Sequence, residues 1–184
     1  MLLVSGDLDQ RMGGPSFRPT IAPGALVGLS RKAAAWQASP ELEQRRRSIY
    51  IFTQRSLLPP LMTTFDFCDT TLPCGQRDVT IVPTQALALL NNEFVHARSR
   101  HLADRVLRRA PDDEQRQVVQ IWRLALARSP TQNERQQAIA HLRQQRSHFE
   151  QQKTVSELRA DPARLSLESL CHVVLNTNEF IFLD

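Results

Sequence analysis

The run Ser166-Leu167-Glu168-Ser169-Leu170-Cys171-His172-Val173-Val174-Leu175 decides the fold class. Leu170, Cys171, Val174 and Leu175 follow Leu167 at spacings of 3, 4, 7 and 8, which puts all five on one stripe of an α-helix, with Ser166 placed to cap it. A stripe this wide must be covered, and the sequence upstream supplies the helices. Thr131 and Glu134 form a capping box for a helix over 132–152, in which Ala138, Ile139, Leu142 and Phe149 share a face. Asp112, with Gln115 three residues on, opens a helix over 113–128 whose buried stripe is Val118, Ile121, Trp122 and Ala125. Pro83 suits a first helical turn, where its missing N–H costs nothing, and starts a helix over 84–109 that Pro111 ends. Leu87, Leu90, Phe94 and Ala97 recur in it at helical spacing, and Leu102 and Val106 come after a small phase drift. With the last helix at 167–177, the pattern predicts a mainly α fold, an irregular bundle of about four helices with short connections.

The first part of the chain reads differently. Gly13-Gly14-Pro15-Ser16 is a turn cluster, and Pro19, Pro23, Gly24 and Gly28 keep interrupting the residues after it. Residues 1–47 are therefore expected to form an extended arm that buries little by itself and lies along a larger body. Ser48-Ile49-Tyr50-Ile51-Phe52-Thr53 is β-branched and aromatic and predicts a short strand, stopped by Pro59-Pro60. A second extended piece is expected from Met62 to Phe67, and a loop from Asp69 to Thr80. The expected organisation is an arm over 1–47 and a helical domain over 48–184, its leading region extended and partly strand-like.

Composition narrows the class of partner. Charged residues are 23% of the 184 and apolar residues 41%, which excludes wholesale disorder and collagen-like structure. No apolar run approaches the roughly 20 residues of a membrane span. The net charge of +4 rests on 21 Arg against 2 Lys, and arginine suits planar, bidentate pairing with carboxylates and phosphates. The most basic stretch, 95–164, alternates in sign and reads as a solvated helical face, so nucleic acid is not the favoured partner.

Few residues group as a chemistry-bearing site. Cys68, Cys74 and Cys171 are odd in number, so at most one pair forms within the chain. Cys68 and Cys74 lie in one loop-like stretch and can form a disulfide in an oxidising compartment. Together with His172 the cysteines are zinc-ligand types at the wrong spacing, and Cys171 falls on the apolar stripe, so no metal is expected. No Cys-x-x-Cys-His occurs, and no cofactor is expected on this chain. Asp66, Asp69 and Asp78 match no calcium loop and read as turn caps or partners of arginine. The run Arg45-Arg46-Arg47 with Arg55 suits an anion, although an extended backbone sends Arg46 to the face opposite Arg45 and Arg47. The polar residues that gather between apolar segments, Arg46, Arg47, Asp66, Arg77 and Gln85, form the candidate cluster.

Several of these segments stand in a familiar order. They are Met12-Gly13-Gly14-Pro15-Ser16 with Pro19, Arg46-Arg47-Ser48 with Tyr50, Phe65-Asp66, Cys74 with Arg77, and Pro83-x-Gln85-Ala86-Leu87 running through Leu89-Leu90-Asn91 into Phe94-Val95. Arg123-Leu124-Ala125-Leu126-Ala127-Arg128 with Pro130-Thr131 and Glu134, and Leu170-Cys171-His172 through Asn178-Glu179-Phe180, complete the series. In this order they resemble the C-terminal part of the domain of unknown function 1553 family, found in large planctomycete proteins. The resemblance implies a longer, extracytoplasmic polypeptide with a cytochrome-c-like domain upstream, so that haem c belongs to that domain. It carries over no catalytic residues. The reading it favours is a C-terminal fragment acting as a non-catalytic scaffold or binding part, periplasmic or secreted, with the upstream part or a partner protein covering 1–47. The alternatives are part of an enzyme for surface or polysaccharide substrates, and a weak binder of anions or nucleic acid.

Overall fold

The computed structural model describes residues 1–22, 24, 36–54, 57–68, 73, 75, 76, 80, 82–151 and 161–182. Among them the helices are α1 (Leu2–Ser5), α2 (Pro60–Thr64), α3 (Pro83–Asn91), α4 (Glu93–Leu107), α5 (Glu114–Leu126), α6 (Gln132–Gln151), α7 (Pro162–Leu175) and α8 (Asn178–Ile181), with 3₁₀ turns at Glu43–Arg45 and Ser48–Tyr50. The fold is mainly α, and the only β pairing among the described residues is three isolated bridges. No described helix is long and apolar enough to cross a membrane.

The chain divides into two compact units, Met1–Asp7 with Leu89–Asp184, and Leu8–Ala88. The divide falls inside α3. The reason lies in the backbone: Asp9 bridges Arg46 and Phe17 bridges Ile51, both in parallel, so the expected arm folds onto the segment after it.

In the first unit α6 and α7 pack on each other and α4 packs on α7. Leu102 and Val106 of α4, Val118 and Ile121 of α5, Leu142 of α6 and Leu167 and Val174 of α7 are buried in one cluster. Burying a side chain of this size stabilises by about 1.5–3 kcal/mol. Cys171 lies in the same cluster as a free, buried thiol. On the rim of the seam, each step of four along α4 meets a step of four back along α7. His96 stacks on His172 with ring centroids 4.3 Å apart. One turn on, Arg100 acts on the Glu168 carboxyl. One turn further, Asp104 accepts from Arg164 Nε at 2.9 Å.

Helix ends explain where sequence and structure differ. The expected helix over 84–109 is two helices, because Asn92 takes an extended conformation and its side chain accepts from Phe94 N–H at 2.8 Å, capping α4. The cap of α5 is Asp113, one residue beyond Asp112, and it accepts from Arg116 N–H at 2.9 Å. The Thr131–Glu134 capping box forms as expected, with Thr131 N–H donating to Glu134 at 2.7 Å. The last long helix begins at Pro162, capped by Asp161; Ser166 lies buried within it and donates to the Ala163 carbonyl at 2.7 Å. The strand expected over 48–53 is instead a 3₁₀ turn and then one bridge, and the extended piece expected over 62–67 begins as α2. There Pro60 stands at the first helical position, so the Pro59-Pro60 pair starts a helix as well as ending the segment before it.

The second unit has a small apolar centre. Ile21 and Leu57 are buried, with Trp36 packed against them and donating from Nε1 to the Pro19 carbonyl at 2.9 Å. Polar cross-links do much of the joining: Gln44 accepts from Thr20 N–H at 2.8 Å and donates to the Ser39 carbonyl at 2.6 Å.

Candidate functional site

The candidate cluster lies in the second unit, and its described members form two groups. The first is built on the Gly13-Gly14 turn, where both residues have positive φ, 73° and 84°, the left-handed region that favours glycine. This turn presents backbone carbonyls to Arg46. Arg46 donates to the Gly13 carbonyl and to the Pro15 carbonyl, the latter at 2.6 Å, and is only 3% exposed. Its guanidinium carbon lies 4.1 Å from the centre of the Tyr50 ring, a cation–π contact, and Glu43 stands 3.9 Å away. Tyr50 closes the turn by accepting from Gly13 N–H at 2.8 Å. Arg47 is exposed, with its guanidinium carbon 5.7 Å from the same ring.

The second group is centred on Thr80. Asp66, itself at φ 56°, accepts from Thr80 N–H at 2.8 Å and from its hydroxyl. Gln85, 4% exposed, donates to the Thr80 and Thr64 carbonyls, each at 3.1 Å. Its oxygen accepts from Val82 N–H at 3.3 Å, reaching back over the first turn of α3 as the third helical residue of a capping box does. Arg46 and Gln85 thus serve the backbone beside them. Arg77 and Cys74 lie outside the described residues. Cys68 is disulfide-bonded.

A shallow apolar cavity of about 410 Å³ opens in the same unit, lined by Ser48, Ile49, Leu61, Met62, Phe65 and Phe67. Among the described residues no three metal-ligating side chains come together.

One polar centre carries no local sequence signal. Asp7 accepts from Ser5 Oγ at 2.8 Å, from Arg98 Nη1 at 2.5 Å and pairs with His101 Nδ1 at 2.6 Å. Burial works against its charge, but the hydrogen bonds from Ser5 and His101 and the charge of Arg98 outweigh it and hold the carboxyl below its ordinary range. Arg98 and His101 are three apart on α4, a spacing that places them on one face; nothing near Asp7 marks it as their partner. The arrangement ties α1 to α4, as does Arg105, which donates to the Leu3 and Val4 carbonyls. Elsewhere in the unit Arg128 pairs with both Glu134 and Glu179, each at 2.6 Å.

A family model described as a protein of unknown function (DUF1553) matches residues 1–142. The chain belongs to the DUF1553 family. The matched span includes the Gly13-Gly14 turn, Arg46, Arg47, Tyr50, Asp66 and Gln85, and it ends inside α6. α7, which supplies Leu167 and Val174 to the core, lies beyond it. Comparison with curated proteins and with solved structures finds no match.

Proposed function

We propose that this DUF1553 chain is a non-catalytic scaffold or binding part of a larger extracytoplasmic multidomain protein. The observation that carries the reading is the fate of the polar cluster: Arg46 and Gln85 are buried and donate to backbone carbonyls of their own fold. A catalytic group must reach a substrate, and side chains engaged in this way hold loops. The disulfide at Cys68 supports an oxidising compartment. Met12 and Leu42, 79% and 68% exposed, support a covering of residues 1–47 by an upstream part of a longer polypeptide or by a partner protein. Haem c, in this reading, belongs to an upstream domain.

Incubation of the purified chain with chromogenic ester, sulfate-ester and polysaccharide substrates tests the reading. The expected result is no turnover. Turnover that Asp66→Asn or Arg46→Lys abolishes, in protein that still folds, would overturn it.

A further inference from the structure

Tyr50 has a hydrogen-bonding position that no described residue uses. A phenol hydroxyl carries one donor and two acceptor lone pairs. The groups around this one are donors or cations: Gly13 N–H at 2.8 Å, Arg46 beneath the ring and Arg47 beside it. Among the described residues no acceptor meets its O–H. Arg47 is exposed and has no carboxylate partner among the described residues. The nearby carboxylates are otherwise engaged, since Arg11 pairs with Asp9 at 2.7 Å and with Glu43 at 2.9 Å.

We propose that Tyr50 and Arg47 form a recognition pair for an oxyanion of the sulfate, phosphate or carboxylate class. The Tyr50 O–H donates to one oxygen and the Arg47 guanidinium to another, as guanidinium groups do on planar and tetrahedral anions. Arg46 has a supporting part: held by the Gly13 and Pro15 carbonyls, it fixes the ring and adds positive charge below it. The proposal rests on the reading of this chain as a binding part and deepens it by naming what is bound.

The same surroundings hold the Tyr50 hydroxyl below the ordinary tyrosine range. The Gly13 N–H is the largest cause, burial opposes it, and a hydrogen bond from Arg47 and the charges of Arg47 and Arg46 add to it. A bound anion acts in the opposite sense, because it disfavours a second negative charge beside it. Tyr50 is the only tyrosine in the chain, so phenolate absorbance reports on it alone.

The experiment is a pH titration of phenolate absorbance on the whole chain, with sodium sulfate, phosphate or acetate as probe against chloride at equal ionic strength. In chloride, Tyr50 is expected to ionise below 10.0. Sulfate is expected to raise that value with saturation, and Arg47→Gln to increase the sulfate needed about tenfold, as the loss of one charge-assisted hydrogen bond does. Response to sulfate and phosphate alone assigns the pair to a tetrahedral group, and an equal response to acetate assigns it to a carboxylate; both support the proposal. As a second readout, the Gly13 and Arg47 amide resonances shift with sulfate in the wild type and not in Tyr50→Phe. The proposal is overturned if none of the three probes moves the Tyr50 titration relative to chloride, or if Arg47→Gln responds as the wild type. Neither result makes the chain catalytic: the substrate panel tests the non-catalytic reading and the titration, run without substrate, tests the anion pair, so the two fail separately.

Discussion

In the unit of residues 1–7 and 89–184, apolar side chains from four long helices meet in one buried cluster that includes Leu102, Ile121, Leu142 and Leu167. In the unit of residues 8–88, the buried apolar centre described is Ile21 and Leu57 with Trp36 against them, and the segments are joined by Arg46, Gln44 and Gln85 donating to backbone carbonyls. The first unit is held by area removed from water, which tolerates any well-packed apolar sequence of the right volume. The second is held by hydrogen bonds whose geometry admits few substitutes, since an unpaired buried carbonyl costs about 1–3 kcal/mol. Strongly specified polar residues can therefore mark a demanding backbone as readily as a reactive site.

The contrast is sharpest in substitutions. Leu102→Ala removes a fully buried side chain from the helical core and is expected to cost about 3–4 kcal/mol, read as a drop in the urea midpoint. Arg46→Lys keeps the charge but loses the planar fork that reaches two carbonyls, and about 2 kcal/mol is expected. A neutral Arg46→Lys in chemical denaturation would break the comparison. Gln85→Ala leaves the Thr64 and Thr80 carbonyls without its amide and is expected to cost about 1–2 kcal/mol. Asp113→Ala removes the cap of α5 and is expected to lower stability by about 1 kcal/mol.

The smallest effect expected is a pH dependence confined to the helical unit. Burial, and then the stacked His96, lower the His172 pKa from its ordinary 6.5, while a hydrogen bond to the Leu89 backbone works the other way. Below 6.5 the unfolded chain therefore binds more protons than the folded one at this site. The contribution is present above 6.5 and is lost as the pH falls from there toward the lower folded value. Melting curves between neutral and mildly acidic pH should show it, and His172→Phe should flatten the slope. An unchanged slope would remove His172 as its source.

Much of the helical unit was legible in the sequence because its rule is local. The spacing of Leu167, Leu170, Cys171, Val174 and Leu175 and the Thr131–Glu134 box each read out one helix. The break at Asn92 left no mark on the spacing, because Leu90 and Phe94 stand four apart across it and a capping asparagine looks like any polar helical residue until its φ and ψ are known. In the second unit the signal ran the other way. Ser48–Thr53 carries strand-type residues, yet a single bridge from Phe17 to Ile51 leaves no ladder for a strand to join. The polar cluster was legible as a set of residues and not as an arrangement. Arg46 answers carbonyls some 31 and 33 positions away, and Asp66 answers a threonine 14 away, separations at which no periodicity operates. Tyr50 stood among the family motif residues, but its place over Arg46 depends on the Gly13-Gly14 turn.

Amide hydrogen exchange of Arg46→Lys against the wild type tests the central claim most directly. If Arg46 is a structural tie, exchange accelerates across 13–17 and 50–52, the segments that its guanidinium and the Phe17 bridge hold together. Unchanged protection in both segments would contradict the account and leave Arg46 free to act on a ligand.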